Sequence, residues 1–522
     1  MFKQMSMLKL NLNLFFFLLV VSTNSYLNAQ KRMLYPNLER GKYDIGFRTI
    51  IDFDISRTYN LQYPIDTTSV HQDSRPIIIN MWYPANLHKE DKAMIYGDYI
   101  KVKTQNVKLK NFINRIESYN LKNSSFYMFY SDSMSEEQKK LFAKQLKQPI
   151  DVFRNATPVI KKFPLVIYHP GLGSPLSDNT ILCEYLASHG FVVITGAFEA
   201  NDYKEVHLDW NLERSTKDID FMLNKIKGLP FIDFSRIAAI GHSYGAQAVL
   251  GYKTEDFSPV SCLISLDNTI DYSLDVDVEG YKPLTDKLFG KINNMNVPIL
   301  VFAKPSAAFL VIDSLKKSDR TFATINLKHN EYTSLTSYAI MNGLQKRNDA
   351  DSVWHKYTLI NNYCLNYLRY NFYNDTTAKN FILSKQPLLN NVQEIPKGQS
   401  LNAKIPYYSD YSEQPSYFQK VKILKDKKKE MIDTIMQKYP DAFEEEDINN
   451  AGYSYMKKDI DFAIYLFQKN VEAHPKSWNV FDSLGEAYMI KGEKELAIKY
   501  YKKSIELNPQ NDSGIQMLEK LK

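Results

Sequence analysis

The sequence predicts an α/β fold, with a mostly parallel sheet covered by helices on both faces, joined to an all-α tail. Three observations lead there. From about residue 165 to 327, short apolar runs alternate with helical patterns, as strands buried on both faces and linked by crossover helices do. Glycines and prolines stand at the boundaries of those runs. Beyond residue 425 the strand signal ends and a new period begins: Ala463 returns as Ala497 and Pro475 as Pro509, a spacing of about 34 residues that suits tetratricopeptide-like helical pairs.

A chain of 522 residues needs more than one domain. Its 44% hydrophobic and 24% charged residues suit a globular protein. The net charge of +6 is spread thinly, which argues against a nucleic-acid partner. The one dense basic run, Lys425 to Lys429, reads as a solvated helix face. At the N-terminus, Lys3 and Lys9 precede an apolar run from Leu10 to Val21, and Leu27-Asn28-Ala29-Gln30 offers a cleavage point. Residues 1–29 are therefore expected to be a signal peptide, and the mature chain to be exported to the periplasm or the medium. Three cysteines, Cys183, Cys262 and Cys364, each sit in an apolar segment. They are expected to be buried free thiols rather than a disulfide framework.

The main domain is expected over residues 30–375. It opens with strand-like stretches at Ile45–Ile55 and Ile77–Tyr83. Residues 88–157 then turn polar and helical, and read as an insertion or lid outside the core. Its aromatics, such as Tyr96, Tyr99, Phe126 and Tyr130, could line a pocket or simply pack it down. The alternating series follows: strand 165–168, helix 178–188, strand 191–194, helix 212–227, strand 237–240 and helix 244–252. Strands 262–266, 299–303 and about 322–327 come next, and a helix at about 353–370 ends it. Residues 376–425, with Pro387, Pro396, Pro406 and Pro415, read as a linker or flap. Helical repeats are expected over 426–522, with Leu484-Gly485, Tyr488, Gly492 and Tyr501 in the clearer copy and Ala451 and Phe467 in the other. Helices near 423–439 and at the end complete them.

The strongest chemical signal is Gly241-His242-Ser243-Tyr244-Gly245. It matches G-x-S-x-G between a strand and a helix, the nucleophile elbow of the α/β-hydrolase fold. A serine hydroxyl needs a base, and the base needs orienting. In this fold the acid and then the histidine follow the serine. Asp267 ends the next buried-type strand, at Ser265-Leu266-Asp267. Of nine histidines, His329 sits after a strand and downstream of the acid; His355, near the start of a long helix, is the alternative. His189 is expected to cap a helix and His242 to pack or bond locally. The amides of Leu172, in Gly171-Leu172-Gly173, and of Tyr244 are the candidate oxyanion donors. No cofactor is implied, and no Cys or His cluster has metal-ligand spacing.

These residues resemble the platelet-activating-factor acetylhydrolase family. The similar stretches are Arg75-Pro76 leading to Trp82-Tyr83-Pro84-Ala85, His169-Pro170-Gly171-Leu172-Gly173, Leu186 to Phe191, the elbow, Leu266-Asp267 and His329. The resemblance implies Ser243 as nucleophile, Asp267 as acid, His329 as base and the Leu172 and Tyr244 amides as oxyanion donors. It also implies a small ester or lipid substrate, with which peripheral membrane contact would be compatible. The repeats themselves read either as a groove for a protein or peptide partner or as a stabilising clip packed on the hydrolase. Two other readings stay open at this level: an exported scaffold with a vestigial hydrolase domain, and a serine peptidase on the same fold.

Overall fold

The computed structural model describes residues 33–521, except 60–72, 103, 105, 130–133, 199–211, 273–281, 306, 308, 346, 402–423, 425, 426, 428 and 439–442. The signal-type segment and Tyr130 lie outside the described residues. The chain divides into two compact units. One runs to Ser400, without 272–276 and 305–310; the other comprises those two stretches and everything from Leu401.

The first unit is built on one large sheet. A small hairpin, β1 (Met33–Tyr35) and β2 (Leu38–Glu39), precedes it. The sheet's strands are β3 (Asp44–Tyr59), β4 (Asp73–Asn86), β5 (Ala93–Ile95), β6 (Pro149–Arg154), β7 (Thr157–Pro158), β8 (Phe163–His169), β9 (Val192–Gly196), β10 (Ile232–His242), β11 (Cys262–Leu266), β12 (Ile299–Ala303), β13 (Arg320–Thr324) and β14 (Asn391–Ile395). Their order is β14-β13-β12-β11-β10-β8-β9-β4-β3-β6-β5, with β7 against β4. The six strands from β13 to β9 are parallel to one another. Every residue of β8, β9, β11 and β12 is buried, so their apolar runs are what a doubly covered sheet demands. After β9 the chain returns to the other side of β8 to form β10, a reversal of strand order that opens a crevice at the strand ends. With its mostly parallel sheet and flanking helices, this unit is an α/β-hydrolase fold.

Its helices include α1 (Lys110–Phe129), α2 (Glu136–Leu146), α3 (Thr180–Ser188), α4 (Leu212–Ile226), α5 (Tyr244–Lys253), α6 (Lys282–Gly290), α7 (Ser334–Met341), α8 (Ala350–Tyr373) and α9 (Thr376–Leu383). All nine residues of α3 are buried, including Glu184. That carboxylate accepts hydrogen bonds from Tyr35 Oη and Tyr99 Oη, each at 2.8 Å, and Tyr99 Oη accepts one from Trp82 Nε1 at 3.0 Å. Burial pushes the Glu184 carboxyl up to about 7 against the pull of the two hydroxyls.

Two expectations need correction. Residues 88–157 are woven into the core rather than laid over it. β6 pairs with β3 through Gly46–Phe153 and Phe47–Arg154, and β5 pairs with β6. Tyr99, Phe129, Phe142 and Val152 join the main apolar core, because aromatic and aliphatic side chains are interspersed through an otherwise polar stretch. The linker or flap expected at 376–425 is also regular structure in its first part. α9 and β14 fill it, and β14 runs antiparallel to β13 from Arg320–Ile395 to Thr324–Asn391.

The second unit holds α10 (Lys429–Lys438), α11 (Glu445–Tyr455), α12 (Ile460–Ala473), α13 (Trp478–Lys491), α14 (Lys494–Leu507) and α15 (Asp512–Leu521). A repeated device joins the pairs. A β-carbon on Gly452 would fall 2.5 Å from the Phe467 ring, and one on Gly485 would fall 3.1 Å from the Tyr501 ring. Each first helix thus leaves a gap that an aromatic ring of the second fills. Ala463 and Ala497 are fully buried at matching positions. Gly492 closes α13 at φ 87°, the left-handed exit that glycine permits.

Glu184 gives a testable pH dependence. Its folded pKa lies above the ordinary value of 4.5. Its favourable contribution is therefore complete below about pH 4.5 and is lost as pH rises through about 7, an effect of up to ~3 kcal/mol. Melting curves from pH 4.5 to 8 should show a smaller downward slope for Glu184→Gln than for the wild type. Parallel curves would show that Glu184 does not titrate in this window.

Candidate active site

Backbone geometry sets the position of Ser243. β10 runs into it and α5 starts one residue later. Strand and helix come so close that a β-carbon on Gly241 would lie 2.3 Å from the Gly245 carbonyl carbon. One on Gly245 would lie 2.1 Å from the His169 carbonyl oxygen. Both positions therefore require glycine. Between them Ser243 is held at φ 54°, ψ −125°, a backbone strain that persists only when its surroundings impose it. The turn is braced by Ser243 N donating to Leu266 O and Ala246 N donating to Ser243 O, both at 3.0 Å. The Ser243 hydroxyl makes no capping bond to the helix it precedes.

Asp267 follows the end of β11, the strand beside β10. Its amide donates to Phe302 O at 2.7 Å, and its φ is 47°. The side chain is 1% exposed, and Oδ2 lies 2.5 Å from His329 Nδ1. A buried carboxylate against Nδ1 fixes which imidazole nitrogen carries the proton, and so leaves Nε2 as the basic one. His329 is 34% exposed and begins a short 3-10 turn, His329–Tyr332, after the last parallel strand. Ser243, Asp267 and His329 thus stand after β10, β11 and β13.

The glycine-bearing loop after β8 comes to the same place. A β-carbon on Gly171 would lie 3.3 Å from the Ser243 Cβ. Gly171 to Ser174 forms a turn closed by Ser174 N donating to Gly171 O at 3.1 Å, with Gly173 at φ 74°. Leu172 sits inside this turn; Tyr244 is the first residue of α5. α1 is fastened to the continuation of the loop. Asn120 Oδ1 accepts from Leu176 N at 3.0 Å, and the Ser124 and Ser177 hydroxyls are 3.1 Å apart. The Tyr119 hydroxyl would be 3.7 Å from a β-carbon on Gly173. Part of the 88–157 segment therefore overhangs the loop beside the serine.

His355 does not join this group. It is exposed on α8, with Nε2 3.0 Å from Asn37 Nδ2 and Nδ1 2.6 Å from Asp351 O. His189 ends α3, and its Nδ1 lies 2.8 Å from Tyr185 O. The three cysteines are buried and unbridged. Among the described residues, no group of three or more His, Cys, Asp or Glu side chains is placed to hold a metal ion.

Several buried polar groups around the site were not singled out in the sequence. Asp178 accepts from Tyr168 Oη at 2.6 Å, and burial pushes its carboxyl up to about 6. His169 lies 3.0 Å from Ser215 Oγ through Nε2 and stacks on Phe198 at 3.8 Å. Burial brings its pKa down to about 4. Asp271 is fully buried near Asp267, and burial drives its pKa well upward. A lone buried Asp, Ser or His has no spacing that marks such a role; the nearest signal was the closeness of His169, Asp178 and Asp271 in the chain to Gly171 and Asp267.

Comparison with known proteins adds the following. A tetratricopeptide repeat family model matches residues 483–511. Among solved structures, a ferulic acid esterase from Streptomyces cinnamoneus is similar to this chain, at 17% identity and a TM-score of 0.42, over 68% of this chain and 97% of that one. No curated protein matches. Residues 483–511, in the C-terminal unit, are thus similar to a tetratricopeptide repeat.

Proposed function

We propose that this chain is an exported serine hydrolase that cleaves carboxylic esters through an acyl-enzyme. The observation that carries the reading is the strained Ser243 just after β10, together with the Asp267–His329 pair at 2.5 Å on the segments after β11 and β13. Ser243 attacks the ester carbonyl while His329 takes its proton. The same imidazole then returns a proton to the departing alcohol, and Asp267 stabilises the imidazolium. The oxyanion that forms is received by the amides of Leu172 and Tyr244. Water repeats the sequence on the acyl-enzyme and regenerates the serine.

The resemblance to platelet-activating-factor acetylhydrolases supports a small or lipid ester as substrate. The α1 overhang supports a role for residues 88–157 in shaping the acyl pocket. Export rests on the signal pattern at residues 1–29. For the helical repeats, a protein or peptide partner is the natural occupant.

Mature protein should hydrolyse p-nitrophenyl esters, and Ser243→Ala should lower the rate by at least ~10³-fold without lowering the melting temperature. A fluorophosphonate probe should label the wild type at Ser243 and leave the variant unlabelled. An unlabelled, inactive wild type would sink the enzyme reading and leave the scaffold reading in its place.

Asp267→Asn offers a sharper test of the pair. It keeps the shape but favours the wrong imidazole tautomer, so kcat should fall ~10³- to 10⁴-fold with KM little changed. Retention of activity within about tenfold of wild type would remove Asp267 from the mechanism.

A further inference from the structure

The residue before the nucleophile does more than fill space. His242 is buried, and its Nε2 lies 3.1 Å from the main-chain carbonyl oxygen of His329. A carbonyl only accepts, so Nε2 must carry the proton and donate. That leaves Nδ1 as the bare nitrogen; it makes no hydrogen bond among the described residues. It faces the glycine loop, 3.2 Å from where a Gly171 β-carbon would sit. The two imidazoles lie 4.9 Å apart, tilted by 33°. Burial first, then the neighbouring His329, brings the His242 pKa down to about 3, so the ring stays neutral while His329 cycles.

The placement explains why such a contact is useful. His242 and Leu266 are register partners on β10 and β11, and Asp267 follows Leu266. Adjacent strand ends therefore grip the base from two directions. Asp267 holds its ring, and His242 holds its main chain. His329 itself stands beyond irregular residues 325–328, outside the sheet ladder, so the sheet does not fix it directly.

We propose that His242 is a positioning residue, whose Nε2–H anchors the His329 main chain and keeps the base in register with Ser243 and the Gly171 turn. This rests on the reading of Ser243 and His329 as nucleophile and base.

The test uses the full mature chain with two substitutions. His242→Phe keeps a ring of similar volume without the donor. His242→Gln offers an amide N–H near the position of Nε2. His242→Phe should lower kcat ~10- to 100-fold, as a misplaced catalytic group does, with KM within about 2-fold. His242→Gln should recover kcat to within about 3-fold of wild type. Wild-type kcat in His242→Phe, or equal loss in both folded variants, overturns the proposal.

A second readout does not depend on turnover or on either variant's folding. Nitrogen-15 spectra of histidine-labelled Ser243→Ala should contain a neutral, Nε2-protonated imidazole that stays neutral at pH 5. Absence of such a ring overturns the anchor. Failure of wild-type Ser243 to react with a fluorophosphonate would instead overturn the hydrolase reading, while this spectrum would still test the hydrogen bond.

Discussion

The close approach of two main chains at Gly241 and Gly245 is the constraint on which the site depends. Side chains at either position would overlap Gly245 or His169 backbone atoms at little more than 2 Å. Because nothing intervenes, β10 passes into α5 within a residue, and the serine between them is forced out of the ordinary backbone regions. The neighbouring strands supply the rest from fixed heights. β8 delivers the Gly171 turn, β11 delivers Asp267, and β13 leads to His329. A rigid parallel sheet thus converts strand register into the spacing of the candidate groups.

A second constraint lies at Glu184. Glu184 is a fully buried carboxyl, which would be unfavourable if left bare. Its two tyrosine donors come from the N-terminal hairpin and from the 88–157 segment, and the second is itself tied to Trp82 on β4. The network therefore joins four separate stretches of chain at one point. It fixes how the 88–157 segment enters the sheet, and that segment carries α1 to the loop beside the serine.

The sequence was most legible where both faces of a strand are buried. The ranges of β11 and β12 match those read from the sequence residue for residue, since a doubly covered strand reads as a nearly continuous apolar run. The positions of Ser243, Asp267 and His329 after β10, β11 and β13 were legible because residue type, chain order and strand position restrict one another. β5 and β6 were not. They are short, Asp151 interrupts the apolar residues of β6, and two α-helices separate the pair. β14, Asn391-Val392-Gln393-Glu394-Ile395, has only its last residue buried, so an edge strand passed for a polar linker. The bond from His242 was hidden for another reason: its acceptor is a backbone oxygen, which no residue pattern announces.

That edge strand has a consequence for how the chain can be made and cut. β13 exposes one side of its backbone ladder until residues 391–395 arrive, and these come after the two helices α8 and α9. During synthesis the nascent sheet would therefore present an unsatisfied border, open to pairing with a second molecule. A fragment ending near residue 375 keeps every proposed catalytic residue yet carries that border permanently. Its weakness would be self-association rather than lost chemistry. A fragment carried through Ser400 includes its own cover.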